Sequence, residues 1–401
     1  AIIIYLYTVM RIEMSVMKNI FLVIVVSIVT LKIADLSFGM IQPMESLSTS
    51  VNRATVRSIV LREFNPNQSA EVSPSNKLTT QADSLKQAPY PVKIDENGFI
   101  DNGNSDEANP KLRVIFLGGS TTENLFVQTE NRFPSVVELS LRKALNQTVV
   151  THNAGVAGNN SMHSYLSFIA KGIPLKPNYA VLMHNINDLS LLSKTESYWV
   201  APSMRTLVAG NSRSMFTDKD LFRSFTFDFL KRLKNIIFPN LYAYLGPRLL
   251  PNKALPRDEF QGLRGSLPVV NFNSAENQFR SSLLSFTQLS RAWDIEPILM
   301  TQANRINTND IVFKKLYETS PDIGISPEQF EFIYHKFNDI IREVALEQNV
   351  QLIDLDVLLR PSSKYLFDTV HLNDEGNIRA GEVITKHLLM ILSKDSKMDL
   401  N

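Results

Sequence analysis

Residues 111–124 read Lys111-Leu-Arg-Val-Ile-Phe-Leu-Gly-Gly-Ser-Thr-Thr-Glu-Asn124. An apolar run, Val114 to Leu117, stops at Gly118-Gly119 and is followed at once by Ser120. A short buried strand ending in two glycines and a hydroxyl lifts a nucleophile to the carboxyl edge of an α/β sheet. The glycines permit a tight turn that a Cβ would obstruct. A helix expected from about Phe133 would point its amino end at the same edge, where open α/β sheets bind ligands. An ordinary turn can have the same composition, so the rest of the chain has to decide between the two.

Near the other end stands Asp368-Thr-Val-His371-Leu-Asn-Asp-Glu-Gly376. A serine becomes a nucleophile when an imidazole takes its proton and a carboxylate fixes the tautomer of that imidazole. Asp and His three positions apart, on one loop or first helical turn, can lie side by side. Between the two ends lie Asn153-Ala-Gly-Val-Ala-Gly158-Asn-Asn-Ser161 and, after the apolar run Tyr179 to Met183, Asn185-Ile-Asn187-Asp188.

Taken in order, Ser120 in a Gly-x-Ser turn, a glycine in a post-strand loop, Asn-Asp after the next strand and Asp-x-x-His near the end resemble the four blocks of the SGNH (GDSL-type) hydrolases. The resemblance spans about residues 112–392. It implies an α/β fold, a three-layer α/β/α sandwich with a central parallel sheet of flavodoxin-like type. It also implies a serine esterase. Ser120 would attack an ester carbonyl, His371 would act as base and then acid, and Asp368 would orient His371. The oxyanion would be held by the backbone N–H of Ser120, the backbone N–H of Gly158 and the side-chain amide of Asn187. Gly158 is preferred to Gly155 because the second-block glycine of the family follows the strand-end Asn by five positions, as Gly158 follows Asn153. Two positions depart from the pattern. Gly119 stands where the motif name has Asp, and Asn185 stands where the third block has Gly. Asn tolerates left-handed backbone better than other non-glycine residues, so a left-handed turn is expected at Asn185.

Strand and helix alternate through this region, which argues a parallel sheet covered on both faces. Strands are expected at Arg113–Leu117, Val149–Asn153, Ala180–His184, Glu296–Thr301 and Val350–Leu355. Helices are expected near Phe133–Leu145, Met162–Lys171, Ala275–Trp293, Pro327–Gln348 and Asn377–Leu392. Ser326-Pro327 is a cap followed by proline at the first helical position.

The chain has 401 residues, 44% hydrophobic and 20% charged, with a formal net charge of +1. A core is therefore affordable, and nothing in the charge suggests nucleic acid as a partner. The absence of cysteine excludes disulfides, thiolate catalysis and cysteine-ligated zinc. His152, His163 and His184 flank the second and third blocks, but their spacing fits no compact ligand motif. No phosphate loop or dinucleotide fingerprint occurs, and neither metal nor cofactor is expected. Asp354, at a strand end, reads as structural. Tyr198 and Trp199 could stack on a sugar or pack in the core.

Residues 1–39 form the expected signal or anchor segment. The chain opens on Ala1, with Met14 and Met17 as expected starts. The apolar run Ile20–Leu31 is twelve residues, which suits a signal-peptide core and is short of the ~20 residues of a membrane span. A cleaved leader, an amino-terminal anchor that includes Lys32 and Asp35, and a buried helix are all compatible with it. Arg11 and Lys18 favour an inside amino end, which leaves the catalytic domain extracytoplasmic. Residues 40–110 read as a polar lead-in, a stalk or loosely ordered over 40–90, with a peripheral hairpin turning at Asn97-Gly98. The hydrolase domain, 111–395, carries an insertion at 189–275. Within it, Lys219–Arg257 holds eight Lys/Arg against Asp220 and Asp228, with Phe222, Phe225, Phe229, Leu233 and Ile236 at helical spacing. It reads as an amphipathic lid helix, a membrane-surface helix or a grip on an acidic glycan.

Resemblance to members of bacterial envelope and polysaccharide systems implies an O-acyl (acetyl) group on an extracytoplasmic glycan, or a small ester, as substrate. The alternatives are an O-acyltransferase with the same site, a glycan-binding or assembly protein that keeps the fold, and a lipase acting at the membrane.

Overall fold

A computed structural model describes residues 17–23, 25–27, 29–30, 62–103, 109–199, 271–320 and 323–398. The chain divides into two units, one of residues 1–56 and 212–242 and one of residues 57–211 and 243–401. In the first, residues 17–23, 25–27 and 29–30 are helical, and Met17, Phe21 and Val23 are exposed. No helix among the described residues is long and apolar enough to cross a membrane. The basic aromatic stretch Lys219–Arg257 lies outside the described residues.

The second unit is built on a parallel sheet. Its strands are β3 (Leu112–Gly118), β4 (Val149–Gly155), β5 (Tyr179–Met183), β6 (Glu296–Met300) and β7 (Gln351–Ile353), in the spatial order β4-β3-β5-β6-β7. That order is the flavodoxin-like one, and it places a crevice at the carboxyl ends of β3 and its two neighbours. β3 is central in register: Phe116 pairs with Asn153 on one side and Val181 on the other.

The helices used below are α2 (Ser120–Glu123), α3 (Phe133–Leu145), α4 (Ser161–Ser167), α5 (Ile186–Thr195), α6 (Phe272–Ala292), α7 (Ile311–Thr319), α8 (Pro327–Glu347) and α9 (Asp374–Met398). Side chains of β3 alternate between two cores because strand side chains point to opposite faces in turn. Ile115 and Leu117 join Leu189, Phe279, Phe286, Phe337 and Ile341, from α5, α6 and α8. Val114 and Phe116 join Phe133, Val137, Val383 and Ile384, from α3 and α9. Phe279 stacks on Phe337 at 4.5 Å between centroids, and Phe116 meets Phe133 edge-on at 5.3 Å. The three-layer α/β/α sandwich implied by the sequence is therefore the fold. Helix α8 starts as expected: Ser326 and Gln329 form a reciprocal capping box with Pro327 in the first turn.

Two expectations need correction. The first is the loosely ordered lead-in over residues 40–90, which fails from Arg62 onward. There β1 (Ser69–Val72) pairs antiparallel with β2 (Tyr90–Lys93), and α1 (Asn76–Gln81) lies between them. This polar segment has little apolar surface of its own and is held by partners from the main domain. Arg132 Nη2 donates to the Pro91 carbonyl at 2.8 Å, Asp83 N–H donates to the Phe367 carbonyl at 2.9 Å, and Asp83 forms an ion pair with Arg305. The expected turn at Asn97-Gly98 is present. Asp95 accepts from the Asn97 and Phe99 N–H groups, and Ile94 bridges Ile100, which in turn bridges Asn153 of β4.

The second concerns Asn185. Its backbone lies at φ −165° and ψ −72°, outside the left-handed region. Its side chain serves packing instead, with Nδ2 donating to the Tyr334 carbonyl and to Asn338 Oδ1 on α8. The helix expected from about Phe133 is present as α3, and between it and the serine lies a further single turn, α2, which starts at Ser120 itself and is stopped by Asn124, whose φ is 52°.

Candidate active site

The carboxyl ends of β3, β4 and β5 carry the first three sequence blocks to one edge, and the loop Leu366–Leu372 brings the fourth. That loop is closed by a Leu366–Leu372 bridge and by Phe367 N–H donating to the His371 carbonyl at 3.0 Å. Asp368 Oδ1 accepts from the Val370 and His371 N–H groups at 2.9 and 2.8 Å, a local loop that fixes both residues.

His371 Nε2 lies 2.8 Å from Ser120 Oγ, and His371 Nδ1 lies 2.7 Å from Asp368 Oδ2. The Phe367 ring stacks on the imidazole at 5.6 Å between centroids and 7° between planes, which holds the ring in the plane that makes both contacts. The three residues expected to meet are thus joined in one hydrogen-bonded line. Burial works against the Asp368 charge, but the imidazole and the loop N–H groups outweigh it and hold the carboxyl below its usual range. Burial likewise disfavours the His371 imidazolium, yet Asp368, and after it Glu123, carry it above the ordinary 6.5. Such a relay can deprotonate an alcohol at the moment it attacks and return the proton to a leaving group.

The loop after β4 is a β-turn, Val156–Asn159. Asn159 N–H donates to the Val156 carbonyl at 3.0 Å, and Gly158 has φ of 77°. Positive φ at the third position is the mark of a type II turn and favours glycine there. Gly158 is therefore the left-handed residue of the turn after β4. Asn187, in the first turn of α5, donates from Nδ2 to the Asn159 carbonyl at 2.8 Å, so the expected amide of the oxyanion hole lies against this turn. A Cβ at residue 119 would stand 2.3 Å from the same Asn187 nitrogen, so the amide also lies against the residue before Ser120.

Several residues outside the expected catalytic set support the site. Asp188 is fully buried and accepts from Ser161 N–H, from Ser161 Oγ and from Tyr198 OH. It ties the start of α4 to α5, and burial raises its carboxyl to about 6. Asn377 donates to Asn124 Oδ1 and to the Leu372 carbonyl while accepting from Phe133 N–H, linking the serine turn to the histidine loop. Glu123 is buried one helical turn after Ser120, with Oε1 accepting from Ala157 N–H at 2.9 Å. The spacing of three from Ser120 is the one signal that could have found it.

Two of the flanking histidines, His163 and His184, have local hydrogen-bond partners, whereas His152 lies beside the Phe99 ring with its Nε2 unpartnered. His184 Nε2 lies 2.7 Å from Ser164 Oγ, burial keeps its imidazole neutral with a value near 3, and His163 completes a capping box with Asn160. No group of three metal-ligating side chains occurs among the described residues. Asp354 takes Arg342 and Thr301 as partners. Tyr198 is buried on Asp188, whereas Trp199 is exposed.

No family model matches the sequence, and neither does any curated protein. Among solved structures, the chain is similar to an acetyl xylan esterase, AlAXEase, at 16% identity over 68% of this chain and 98% of that one, with a TM-score of 0.38. It is also similar to a variant of an acetyl xylan esterase from Geobacillus stearothermophilus, at 13% identity over 69% and 94%, with a TM-score of 0.38. A lipase/acylhydrolase from Enterococcus faecalis matches at 14% identity over 69% and 95%, with a TM-score of 0.37.

Proposed function

We propose that this chain is an SGNH-type serine esterase that removes O-acyl groups, acetyl among them, from an extracytoplasmic glycan. The observation that carries the reading is the Ser120–His371–Asp368 line, with contacts of 2.8 and 2.7 Å. A binding module has no need of a carboxylate-oriented imidazole aimed at a serine hydroxyl.

In this reading Ser120 Oγ attacks the ester carbonyl while His371 Nε2 takes its proton. The carbonyl oxygen, now negative, accepts hydrogen bonds from Ser120 N–H, Gly158 N–H and Asn187 Nδ2. His371 gives its proton to the sugar oxygen as the acyl–oxygen bond breaks, and an acyl-serine remains. Water, deprotonated by the same imidazole, releases the free acid and restores Ser120. Asp368 stays ionised throughout and stabilises the imidazolium.

The glycan substrate rests on the four-block resemblance. The outside location, membrane-anchored or exported, rests on Arg11 and Lys18, which precede the apolar run Ile20–Leu31. Acetate release from O-acetylated polysaccharides tests the reading, with Ser120→Ala as control. Release that depends on Ser120 supports it. Transfer of acetate to an added acceptor glycan, in preference to release, would assign an O-acyltransferase instead.

A further inference from the structure

Glu123 has a place that the esterase chemistry does not explain. It is 3% exposed, sits one helical turn after Ser120, and reaches from α2 to the Val156–Asn159 turn, where Oε1 accepts the Ala157 N–H at 2.9 Å. Ala157 immediately precedes Gly158, so one peptide plane separates the carboxylate's contact from the N–H expected to bind the oxyanion. The turn is held at its other end by Asn187 Nδ2 on the Asn159 carbonyl and, two residues on, by Asp188 on Ser161 N–H.

We propose that Glu123 is a positioning residue of the oxyanion hole: through the Ala157 N–H it fixes the turn so that the Gly158 N–H faces the ester carbonyl, an inference that rests on the esterase reading above. Three charged groups surround it: His371 from the histidine loop, Arg132 before α3 and Arg62 from the lead-in. Burial raises the carboxyl to about 7 against the pull of the Ala157 N–H and these cations. A neutral side chain would fill the space at lower cost. Retention of a carboxylate here fits a role in the site, where perturbed acids gather. Its charge also favours the imidazolium of His371.

Two variants address the contact from opposite sides. Glu123→Ala removes the acceptor. Ala157→Pro removes the donor and keeps the turn, because proline is favoured at the second position of a type II turn. With nitrophenyl acetate as substrate, each lowers kcat by about ten- to a hundredfold, the scale of a misplaced reacting group, and leaves KM within about threefold. The double variant is no slower than the slower single one, since both break one interaction. Glu123→Gln, whose amide oxygen can still accept the Ala157 N–H, recovers most of the kcat lost in Glu123→Ala. Its kcat/KM profile loses activity at lower pH than the wild type, because a negative charge near His371 is gone. Folded Glu123→Ala or Ala157→Pro protein with kcat within about twofold of wild type overturns the proposal, as do losses that multiply in the double variant. Hydrolysis that survives Ser120→Ala overturns instead the reading on which the proposal rests.

Discussion

Asn187 Nδ2 occupies the space where a side chain on residue 119 would begin: a Cβ on Gly119 would stand 2.3 Å from that nitrogen and 3.1 Å from the Asn159 carbonyl. The Asn187 amide is held in place by its hydrogen bond to the Asn159 carbonyl, so neither neighbour can yield without moving the other. The glycine before Ser120 is thus required by the approach of the amide.

Gly119→Ala therefore displaces Asn187 and acts on turnover. Removal of one oxyanion donor costs about 10²–10³ in kcat, and Asn187→Ala is expected at that level. Gly119→Ala, which moves the donor without deleting it, falls between Asn187→Ala and wild type, with KM little changed. Steady-state kinetics on nitrophenyl acetate check the order, and Asn187→Ala with wild-type turnover would remove Asn187 from the site.

The pH profile follows from His371. The base must be neutral, and its imidazolium is held above the ordinary 6.5, with Asp368 as the main favourable cause against burial. kcat/KM falls as pH drops through that raised value, so the acid limb lies above 6.5. Asp368→Asn removes the carboxylate, shifts the limb to lower pH and lowers kcat, by about 10⁴ in serine-triad hydrolases. A limb that stays put in Asp368→Asn would show that another group sets it.

Glu123 gives stability an opposite pH dependence. Its carboxyl is raised from 4.5 to about 7 by burial, so between these values the folded chain holds a proton that the unfolded chain has lost. Stability from this group is therefore full below the lower value and declines as pH rises through the higher one. The cost above pH 7 is on the order of 3 kcal/mol. Glu123→Gln is expected to raise the melting temperature at about pH 8 and to change it little at about pH 4.5. A gain that does not grow with pH would contradict the burial argument.

Asn185 offers a test of packing apart from catalysis. Its amide bonds to Tyr334 and Asn338 are buried, and Asn185→Gly would remove both, at about 1–3 kcal/mol together. Urea denaturation measures this. The family-like glycine is thus expected to destabilise this chain, and a stabilised variant would show that the amide is not needed.

Much of this was readable in the sequence because it is local. Strands β3, β5 and β6 are short apolar runs, and the long expected helices, from Phe133, Ala275, Pro327 and Asn377, keep a 3.6-residue apolar period. Ser120, His371 and Asp368 were readable as a set through the order and spacing of four blocks, although none stands out alone. What was hidden depends on partners distant in sequence. The lead-in is ordered by Arg132, Arg305 and Phe367, which no local pattern links to it. Asn377 and Glu123 look like ordinary helix-turn polar residues until the fold surrounds them, and the third block contains Asp188 without showing its buried partners. Helix α5 lay unread at the edge of the insertion, and α7 between two expected elements. The turn at Asn185 was misread because its amide, whose partners lie on α8, could equally have marked a left-handed position.

Labelling with a fluorophosphonate probe, followed by mapping of the modified peptide, tests the central claim most directly. The account predicts one adduct, on Ser120, that is lost in His371→Ala. A folded wild-type protein that stays unlabelled, or that is labelled on another residue, would contradict it.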